Sequence, residues 1–426
     1  MMSIRQIRTE MIPNGVLRAM DVLERSGYEA YIVGGCVRDF LMGRIPHDFD
    51  VTTNAKPEEM KACFKGYRFI ETGIRHGTLT VVIDGENIEI TTYRIDGEYT
   101  DNRHPSSVTF TSALEDDLAR RDFTVNAMAF SPKRGLVDSF GGIADLEARM
   151  IRCVGIADER FNEDGLRIIR ALRFSSVLDF DIERDTAASA HANATLLHGI
   201  SVERIYSEFT KLLLGKRAPQ LLRQFRDVIE IFLPDLARAD DVEYVTAATA
   251  VGLCEESAAQ RYAALLGFSF DTSMMTSHAN EISRGLSCLK SDTKTKREAI
   301  AAYSALTGLE TSGNLSARRA IRHYGMPTLD NAIALCRACL GALGDVGGIS
   351  RLDRFTDAVR AEYAGADACF SLSQLAINGA DVIALGVSGS AVGRALERLL
   401  DEVVDQKLPN DRELLLARAK EMISGE

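Results

Sequence analysis

The chain has 426 residues, 46% of them hydrophobic, so it is long enough for several domains whose cores need no disulfide bonds. It contains no run of about 18 apolar residues, and its first residues lack the apolar stretch of a signal peptide, which argues against a membrane or secreted protein. The net charge of −11 argues against nucleic acid as a general ligand, because Lys and Arg drive binding to phosphates.

Local basic segments nevertheless occur, and such a segment is enough to hold RNA. They are the arginines between Arg160 and Arg173, the cluster Arg318, Arg319 and Arg322, and the cluster Lys290, Lys294, Lys296 and Arg297. For the last two clusters a solvated helix face is an equally good interpretation.

The first 140 residues mix helix and strand patterns. Residues 14–27 predict an amphipathic helix that ends at Gly27, EAYIVGG predicts a strand entering a Gly-Gly turn, and CVRDFLMG predicts a helix that starts there. HDFDVTT predicts a strand and KPEEMKACF a helix. GTLTVVID and ENIEITTYR predict a hairpin around Asp84-Gly85. Residues 96–117 predict a loop, and residues 122–140 a further strand pair or a helix followed by a strand.

Beyond residue 143 the strand patterns nearly vanish and helical patterns continue to the C-terminus. The sequence therefore predicts an α+β fold, with a small mixed sheet in an N-terminal head and an all-helical remainder. We expect a head at 1–142, a neck at 143–217, a body at 218–330 and a tail at 331–426. Cys336 and Cys339 form a C-x-x-C with no second pair, so buried, reduced thiols are favoured over a zinc or redox site, as in a cytoplasmic protein.

Acidic residues of the head predict a metal site. Asp48 and Asp50 are two residues apart on a predicted strand, so both carboxylates project to one face. Glu89 stands between Ile88 and Ile90, whose burial would turn Glu89 to the opposite face. Like charges this close repel unless a cation lies between them, and carboxylate oxygens suit Mg²⁺. The sequence thus predicts metal ions held by these three catalytic carboxylates.

The Gly-Gly turn strengthens this prediction. Gly34 and Gly35 close a strand and open a helix, an arrangement that lets backbone N–H groups approach a phosphate. Arg38, one turn into the helix, can reach the same anion.

These motifs carry a family resemblance. VGGCVRDFLMGRIPHDFDVTT resembles the signature of the class II CCA-adding tRNA nucleotidyltransferases and bacterial poly(A) polymerases, a branch of the polymerase-β-like nucleotidyltransferases. ETGIRHGTLTVVIDGENIEITTYR resembles their central hairpin, YTDNRHPSSVTFTSALEDDLARRDFTVNAMAF their flexible loop and ribose motif, RFNEDGLRIIRALRFSSVLDFDIE their base-reading helix, and SVERIYSEFTKLLL the helix after it. The C-terminal LAINGADVIALG region is also similar, whereas residues 220–365 match least.

The resemblance implies roles for individual residues. Metal binding falls to Asp48, Asp50 and Glu89, with Mg²⁺ as the cofactor. Nucleotide binding falls to Gly34, Gly35, Arg38, Arg121, Asp122, Asn126, Asp164, Arg167, Arg170 and Arg173, with Asp122 recognising the ribose. The substrates implied are ATP, CTP and the acceptor arm of tRNA, and neither a protein partner nor a membrane is implied.

Asp164 and Arg167 have a physical reading of their own as the pair that selects the base. Their spacing on a predicted helix makes them surface neighbours. A carboxylate accepts hydrogen bonds and a guanidinium donates them, which matches the amine and ring nitrogen of cytosine and adenine but opposes uracil and guanine. An exposed ion pair between the two is the alternative. Arg170 and Arg173 wind around the helix and point to triphosphate or to carboxylates such as Glu163.

Several members of the family remain open. The acidic, mixed C-terminus favours CCA addition over poly(A) synthesis, which usually comes with a long basic tail. The loop YTDNRHPSSVTF is intact, with Arg103 and the acidic neighbours Asp101 and Asp117, which argues against a CC-only enzyme but not against an A-only enzyme. With seven histidines, we expect no histidine–aspartate phosphohydrolase module. A non-catalytic RNA-binding relative is the remote alternative.

Overall fold

The computed structural model describes residues 6–71, 73–97, 108–268, 278–311 and 317–424. Within them the chain forms two compact units, and the division between these units falls after Pro234 in the sequence. No helix in these ranges is both long and apolar enough to span a membrane.

The first unit contains the strands of the fold. They are β1 Ala30–Val33, β2 Asp50–Thr53, β3 Arg68–Ile70, β4 Thr78–Ile83, β5 Glu86–Thr92, β6 Arg94–Asp96, β7 Val108–Phe110, β8 Ala129–Ser131, β9 Gly135–Val137, β10 Met150–Ile151 and β11 Asp181–Ile182. A mixed sheet has the order β3-β4-β5-β2-β1-β8-β9, in which β2 and β5 run parallel and the other neighbours antiparallel. The expected α+β head is confirmed.

Helices complete the first unit. They are α1 Asn14–Arg25, α2 Gly35–Leu41, α3 Pro57–Cys63, α4 Leu114–Ala119, α5 Gly142–Ala148, α6 Ala157–Glu163, α7 Leu166–Leu178, α8 Arg184–Ala192, α9 Val202–Leu214, α10 Ala218–Gln224 and α11 Arg226–Glu230. Of these, α1, α2 and α3 pack against the mixed sheet. The spacing of Val16, Met20 and Leu23 places one apolar face of α1 in the core, as its pattern predicted.

The hairpin around Asp84-Gly85 joins β4 to β5 as predicted. Both turn residues have positive φ, 55° and 86°, which is the backbone that a two-residue hairpin turn with the right twist requires.

Two sequence predictions in this unit need correction. Residues 96–117 are not simply a loop, because β7 pairs with β6 and α4 buries Leu114 and Leu118 one turn apart. The helical neck also contains strand, since β10 and β11 pair in parallel. Segments this short leave too little periodicity in the sequence, and their partners supply the stability.

The second unit is helical. Its elements are α12 Asp241–Leu253, α13 Ala258–Phe268, α14 Ala279–Cys288, α15 Thr293–Thr311, α16 Ala317–Tyr324, α17 Met326–Leu343, α18 Val346–Ala364, α19 Gly379–Ile383, α20 Ser390–Val404 and α21 Arg412–Ser424. Helices α12, α13, α15 and α17 pack together. Cys336 and Cys339 are buried on α17 without a disulfide, and burial raises the pKa of the Cys339 thiol.

The arginine cluster of α16 is used inside this unit. Arg318 is buried and donates to the carbonyl of Val404 at 2.9 Å, which ends α20. Arg319 pairs with Asp405 and Arg322 with Glu397. These arginines join α16 to α20 and its end, which accounts for them without RNA.

Candidate active site

Two of the predicted carboxylates are direct neighbours on adjoining strands. The parallel register of β2 and β5 sets Asp50 opposite Glu89. Ile88 and Ile90 are buried, so Glu89 lies on the other face of β5, where it is exposed as predicted. Adjacent strands are about 4.8 Å apart, and both carboxylates line one cavity of about 730 Å³.

Asp48 enters the same cavity from outside the sheet. The prediction that it shares a strand with Asp50 is wrong, because β2 begins at Asp50. β1 ends at Val33, directly opposite Asp50, so residues before Asp50 have no partner on β1. The carboxylates of Asp48, Asp50 and Glu89 nevertheless line the cavity together.

The charges in this cavity repel one another. Surrounding protein atoms desolvate the Asp50 carboxylate and raise its pKa, the guanidinium of Arg121 lowers it, and the charge of Asp48 raises it again. In the part of the chain that the structure describes, no cationic side chain forms an ion pair with Asp48, Asp50 or Glu89. The described residues also hold no group of three His, Cys, Asp or Glu already drawn together as a metal site. The oxygen donors and the unbalanced charge fit a hard cation that keeps water and takes phosphate oxygens as further ligands.

The Gly-Gly turn lies beside these carboxylates, and the guanidinium of Arg121 lies against it. Gly34 has φ 81° and ψ −130°, a conformation that disfavours other residues. A Cβ at Gly34 would lie 3.0 Å from Nη1 of Arg121, so glycine also keeps room for that guanidinium. The N–H of Gly34 donates to the carbonyl of Met128, whereas Gly35 begins α2 next to Arg38.

Asp122 is the centre of a buried network of charges. Its Oδ1 accepts from Asn126 Nδ2 at 3.1 Å, and its Oδ2 accepts from Arg170 Nε and Nη2 at 2.9 and 2.6 Å. Asn126 Oδ1 in turn accepts from Arg38 Nη1 at 2.7 Å. Burial alone would raise the pKa of Asp122, but Arg170 and the hydrogen bond from Asn126 lower it to about 2. Asp122 therefore stays ionised at neutral pH.

The network continues to α9 through Glu208. This buried carboxylate pairs with Arg173 at 2.7 Å and with Arg170 at 3.5 Å. The guanidinium groups of Arg38, Arg170 and Arg173 lie 5.3, 5.2 and 3.6 Å from the ring centre of Phe174, within the range of cation–π attraction. Arg170 and Arg173 thus face Asp122 and Glu208, and the suggested partner Glu163 is wrong.

Asp164 and Arg167 do not lie on one helix, contrary to the prediction. α6 ends at Glu163, and Asp164 has the extended angles φ −141° and ψ 102°. Its Oδ1 accepts from the N–H of Leu166 at the start of α7, and its Oδ2 accepts from Arg204 at 2.8 Å. A helical pattern runs through both helices, and Asp-Gly, a frequent break signal, marks the junction.

Arg167 is buried and held by other partners. It donates to Glu163 Oε2 at 2.6 Å and to the backbone carbonyls of Arg160 and Arg120 at 3.2 and 2.9 Å. The alternative of an ion pair between Asp164 and Arg167 is therefore not observed either. Both side chains nevertheless belong to the first turn of α7 and the residues just before it.

Sequence reasoning missed several charged residues of the site. Arg204 and Glu208 lie on α9, far along the chain from their partners, and no local spacing could reveal those pairings. Asp117 stands three and four residues before Arg120 and Arg121, which is helical ion-pair spacing and the one signal available. The predicted loop residues Asp101 and Arg103 lie outside the described residues.

Comparison with known proteins shows to which sequences this chain is similar. The sequence profile of the Poly A polymerase head domain matches residues 30–152, that of the probable RNA and SrmB-binding site of polymerase A matches 179–240, and that of the putative tRNA nucleotidyltransferase domain 2 matches 269–419. The CCA-adding enzyme of Streptococcus thermophilus is 35% identical over 428 residues, covering 98% of this chain and 99% of that protein. That of Lactobacillus delbrueckii subsp. bulgaricus is 47% identical over 222 residues, 52% of this chain and 54% of that protein, so this alignment spans about half of either one.

Solved structures give the same result. The Bacillus stearothermophilus CCA-adding enzyme in complex with CTP has a TM-score of 0.76 at 30% identity and covers 98% of this chain and 99% of its own. The Thermotoga maritima CCA-adding enzyme complexed with tRNA has a TM-score of 0.67 at 21% identity, covers 100% of both chains and supports the fold. Because the similarity extends over almost the whole chain, this protein belongs to the CCA-adding enzyme family.

Proposed function

We propose that this protein is a CCA-adding tRNA nucleotidyltransferase that adds C, C and A to the 3′ end of tRNA from CTP and ATP, without a nucleic-acid template, and releases pyrophosphate. The observation that carries the proposal is the register of β2 and β5, which sets Asp50 beside Glu89 next to the Gly34 turn. Relatives of this name align with nearly the full chain.

In this proposal Asp48, Asp50 and Glu89 hold divalent metal, with Mg²⁺ as the ion. Metal bound there supplies activation of the tRNA 3′-hydroxyl and charge neutralisation at the triphosphate. Arg121, beside Gly34, and Arg38, at the start of α2, bind the phosphates of the incoming nucleotide together with Gly34 and Gly35 in this proposal. The close approach of Arg121 Nη1 to Gly34 supports it.

Asp122 and its partners orient the nucleotide. Its ionised carboxylate is an acceptor for ribose hydroxyls, and Asn126 and Arg170 fix its position. Arg173 belongs to the same charged wall through Glu208. Binding a ribose would exchange part of this internal hydrogen bonding for bonds to the hydroxyls.

The start of α7 is the proposed base reader. Asp164 accepts and Arg167 donates, which matches the pairing edges of cytosine and adenine. The described hydrogen bonds of Arg167 use Nη1 and Nη2. The Asp164 carboxylate is held by Arg204, so a cytosine or adenine amine must share or replace that contact. Each such polar contact contributes about 1–3 kcal/mol of discrimination.

The remaining proposals concern the domains, the contact with tRNA and the location of the protein. We propose a head at 1–142, a neck at 143–217, and a body and tail at 218–330 and 331–426 that grip the acceptor arm of tRNA. We also propose a cytoplasmic location, which the CCA-adding function of the bacterial relatives supports. A-only addition and poly(A) synthesis are the alternatives.

One experiment separates these functions. The protein is incubated with Mg²⁺, CTP and ATP and with tRNA that ends before CCA or after CC, and the products are resolved on a sequencing gel. We expect three added nucleotides on the first acceptor and one on the second. Extension of the CC-ended acceptor alone would indicate an A-adding enzyme, a long A tail a poly(A) polymerase, and no extension a binding protein.

A further inference from the structure

Asp117 on α4 is a buried carboxylate beside the site, and the resemblance gives it no role in binding the nucleotide. Its side chain has no exposed surface. Oδ1 accepts from Arg120 Nε and Nη2 at 3.0 and 2.7 Å, whereas Oδ2 accepts from Arg121 Nη2 at 3.3 Å and from Thr52 Oγ1 at 3.4 Å. Every oxygen of this carboxylate is thus bonded to a group near the active site.

The charge of Asp117 is maintained by its arginines. Burial raises the pKa of the carboxyl group, but Arg120 and Arg121 more than reverse this and lower it below the ordinary value. A buried carboxylate without such partners would be costly. Asp117 is therefore ionised at neutral pH, and its negative charge attracts both guanidinium groups.

The far side of Arg121 faces the catalytic groups. Its Nη1 lies 3.0 Å from the position of a Cβ on Gly34, and its charge acts on the Asp50 carboxylate. The hydroxyl of Thr52 lies 3.4 Å from Asp117 Oδ2 and 3.1 Å from the carbonyl of Thr91, so the two oxygens share its one proton. Thr52 is two residues after Asp50 on β2 and hence on the same face of that strand. Asp117 thereby fixes Arg121 relative to the strand that carries Asp50.

Two carboxylates interact with the charge of Arg121. Arg121 forms its ion pair with Asp117, at 3.3 Å, whereas Asp50 acts on it through space. Without the charge of Asp117, Asp50 would be the stronger attraction, and an ion pair there would occupy a proposed metal ligand.

We infer that Asp117 is a positioning residue for nucleotidyl transfer, which holds Arg121 at the Gly34 turn for the triphosphate and away from Asp50. This inference rests on the proposed function, since it takes Arg121 to bind the nucleotide.

The test is a double-mutant cycle in steady-state CTP and ATP addition by the full-length protein. We expect Asp117→Asn to raise the KM for both nucleotides about tenfold and to raise the Mg²⁺ concentration needed for half-maximal rate, whereas in an Arg121→Ala background the same change adds less than about twofold. Glu115→Gln, on the exposed face of the same helix, is the control and should leave both quantities unchanged.

The outcomes separate this inference from the proposed function. If the effects of Asp117→Asn and Arg121→Ala on the nucleotide KM multiply in the double variant, the positioning role is overturned, while Arg121 remains a nucleotide ligand. An unchanged KM in Arg121→Ala would overturn both assignments at once, and absence of nucleotide addition by the unaltered protein would instead refute the proposed function.

Folding is checked by thermal melting. If Asp117→Asn does not fold, Thr52→Val takes its place in the cycle, because it removes the hydroxyl that ties Asp117 to β2 while keeping a β-branched side chain. A rise in nucleotide KM of about threefold that disappears with Arg121→Ala supports the inference, and a rise that persists overturns it.

Discussion

At the scale of single residues, the acidic side chains of this site differ in whether an arginine pairs with them. Asp122 and Asp117 are buried and paired with arginine, so each is fixed and ionised. Asp48 and Glu89 are exposed and lack such a partner in the described residues. In the proposed function the two paired carboxylates act in different ways, Asp117 on Arg121 and Asp122 on the ribose, whereas the two unpaired carboxylates are proposed metal ligands.

Asp48→Ala should abolish nucleotide addition while sparing the fold. The side chain is exposed and unpaired, so its loss should change the free energy of unfolding by about 0.5 kcal/mol or less. It removes a proposed metal ligand and one charge that acts on Asp50. Gel assays of CCA addition and urea unfolding measure the two effects. Glu86→Gln, in the same cavity, is the control, and full activity of Asp48→Ala would refute the metal assignment.

The ionised state of Asp122 should appear in the pH dependence of stability. Its pKa is lowered in the folded protein to about 2 from the usual 3.8, so its contribution is present above the unfolded value and is lost as pH falls through the folded value. Asp122→Asn should cost roughly 2 kcal/mol at pH 7. Urea unfolding of both proteins between pH 7 and the acid limit of folding should show this difference shrink below about pH 4. A difference that does not vary with pH would contradict the lowered pKa.

Asp164→Ala should weaken the choice of base more than the rate of addition. In the proposed function this carboxylate accepts a hydrogen bond from the amine of cytosine or adenine, and uracil and guanine present no amine at that position. Loss of one such contact should reduce the preference for CTP over UTP by about tenfold, as kcat/KM ratios would show. The variant also frees Arg204, so Arg204→Ala serves as the matched control. An unchanged preference would show that Asp164 does not read the base.

At the scale of secondary structure elements, sequence patterns correctly predicted the features that depend on neighbouring residues alone. The hairpin, the burial of Ile88 and Ile90 and the exposure of Glu89 follow from alternation along one strand, and they were predicted correctly. The start of β2 and the break in the helix at Asp164 were predicted wrongly. The start of β2 depends on where β1 ends, and the break depends on a glycine that packs against a residue distant in sequence. Neither is encoded in the periodicity of the nearby sequence.

Networks between elements were the least predictable part of the site. The residues proposed to bind nucleotide could be selected by resemblance, but their partners Glu208 and Arg204 come from α9 and meet α7 only after the chain has folded. Pairings of this kind depend on helix packing, for which a single sequence gives no spacing rule.

The junction between α6 and α7 offers a direct test. A Cβ at Gly165 would lie 3.0 Å from the Cβ and 3.2 Å from the carbonyl oxygen of Leu196, which is tighter than most Cβ contacts, so the backbone at Leu196 would have to shift. Gly165→Ala should therefore lower the free energy of unfolding by about 1–3 kcal/mol. Gly393→Ala is the control: it lies in α20 with open space around it, and it should be neutral or slightly stabilising. Equal stability of the two variants in urea unfolding would show that this contact is not tight.

At the scale of the whole molecule, chemistry and helical scaffold belong to different units. Every residue proposed to bind metal or nucleotide lies before Pro234, in the first unit. The helices of the second unit pack through their own buried apolar residues, and the buried Arg318 connects α16 to the end of α20. A substitution confined to that scaffold should therefore affect nucleotide binding little.

Arg318→Ala tests this division. The arginine is 7% exposed, donates to Glu362 at 2.9 Å and to the carbonyl of Val404, and lies 5.1 Å from the ring centre of Phe370. Its removal leaves buried carbonyls without a donor, which should cost about 3 kcal/mol or more in the free energy of unfolding.

The Kd of CTP measured calorimetrically with Mg²⁺ should stay within about twofold of the unaltered protein, because the described partners of Arg318 all lie in the second unit. Arg354→Ala, an exposed arginine of α18, controls for the loss of a positive charge from the same unit. A tenfold weaker Kd in Arg318→Ala but not in Arg354→Ala would show that the second unit helps to shape the nucleotide site. Loss of tRNA extension with the CTP Kd retained would instead place the contribution of this unit at the acceptor.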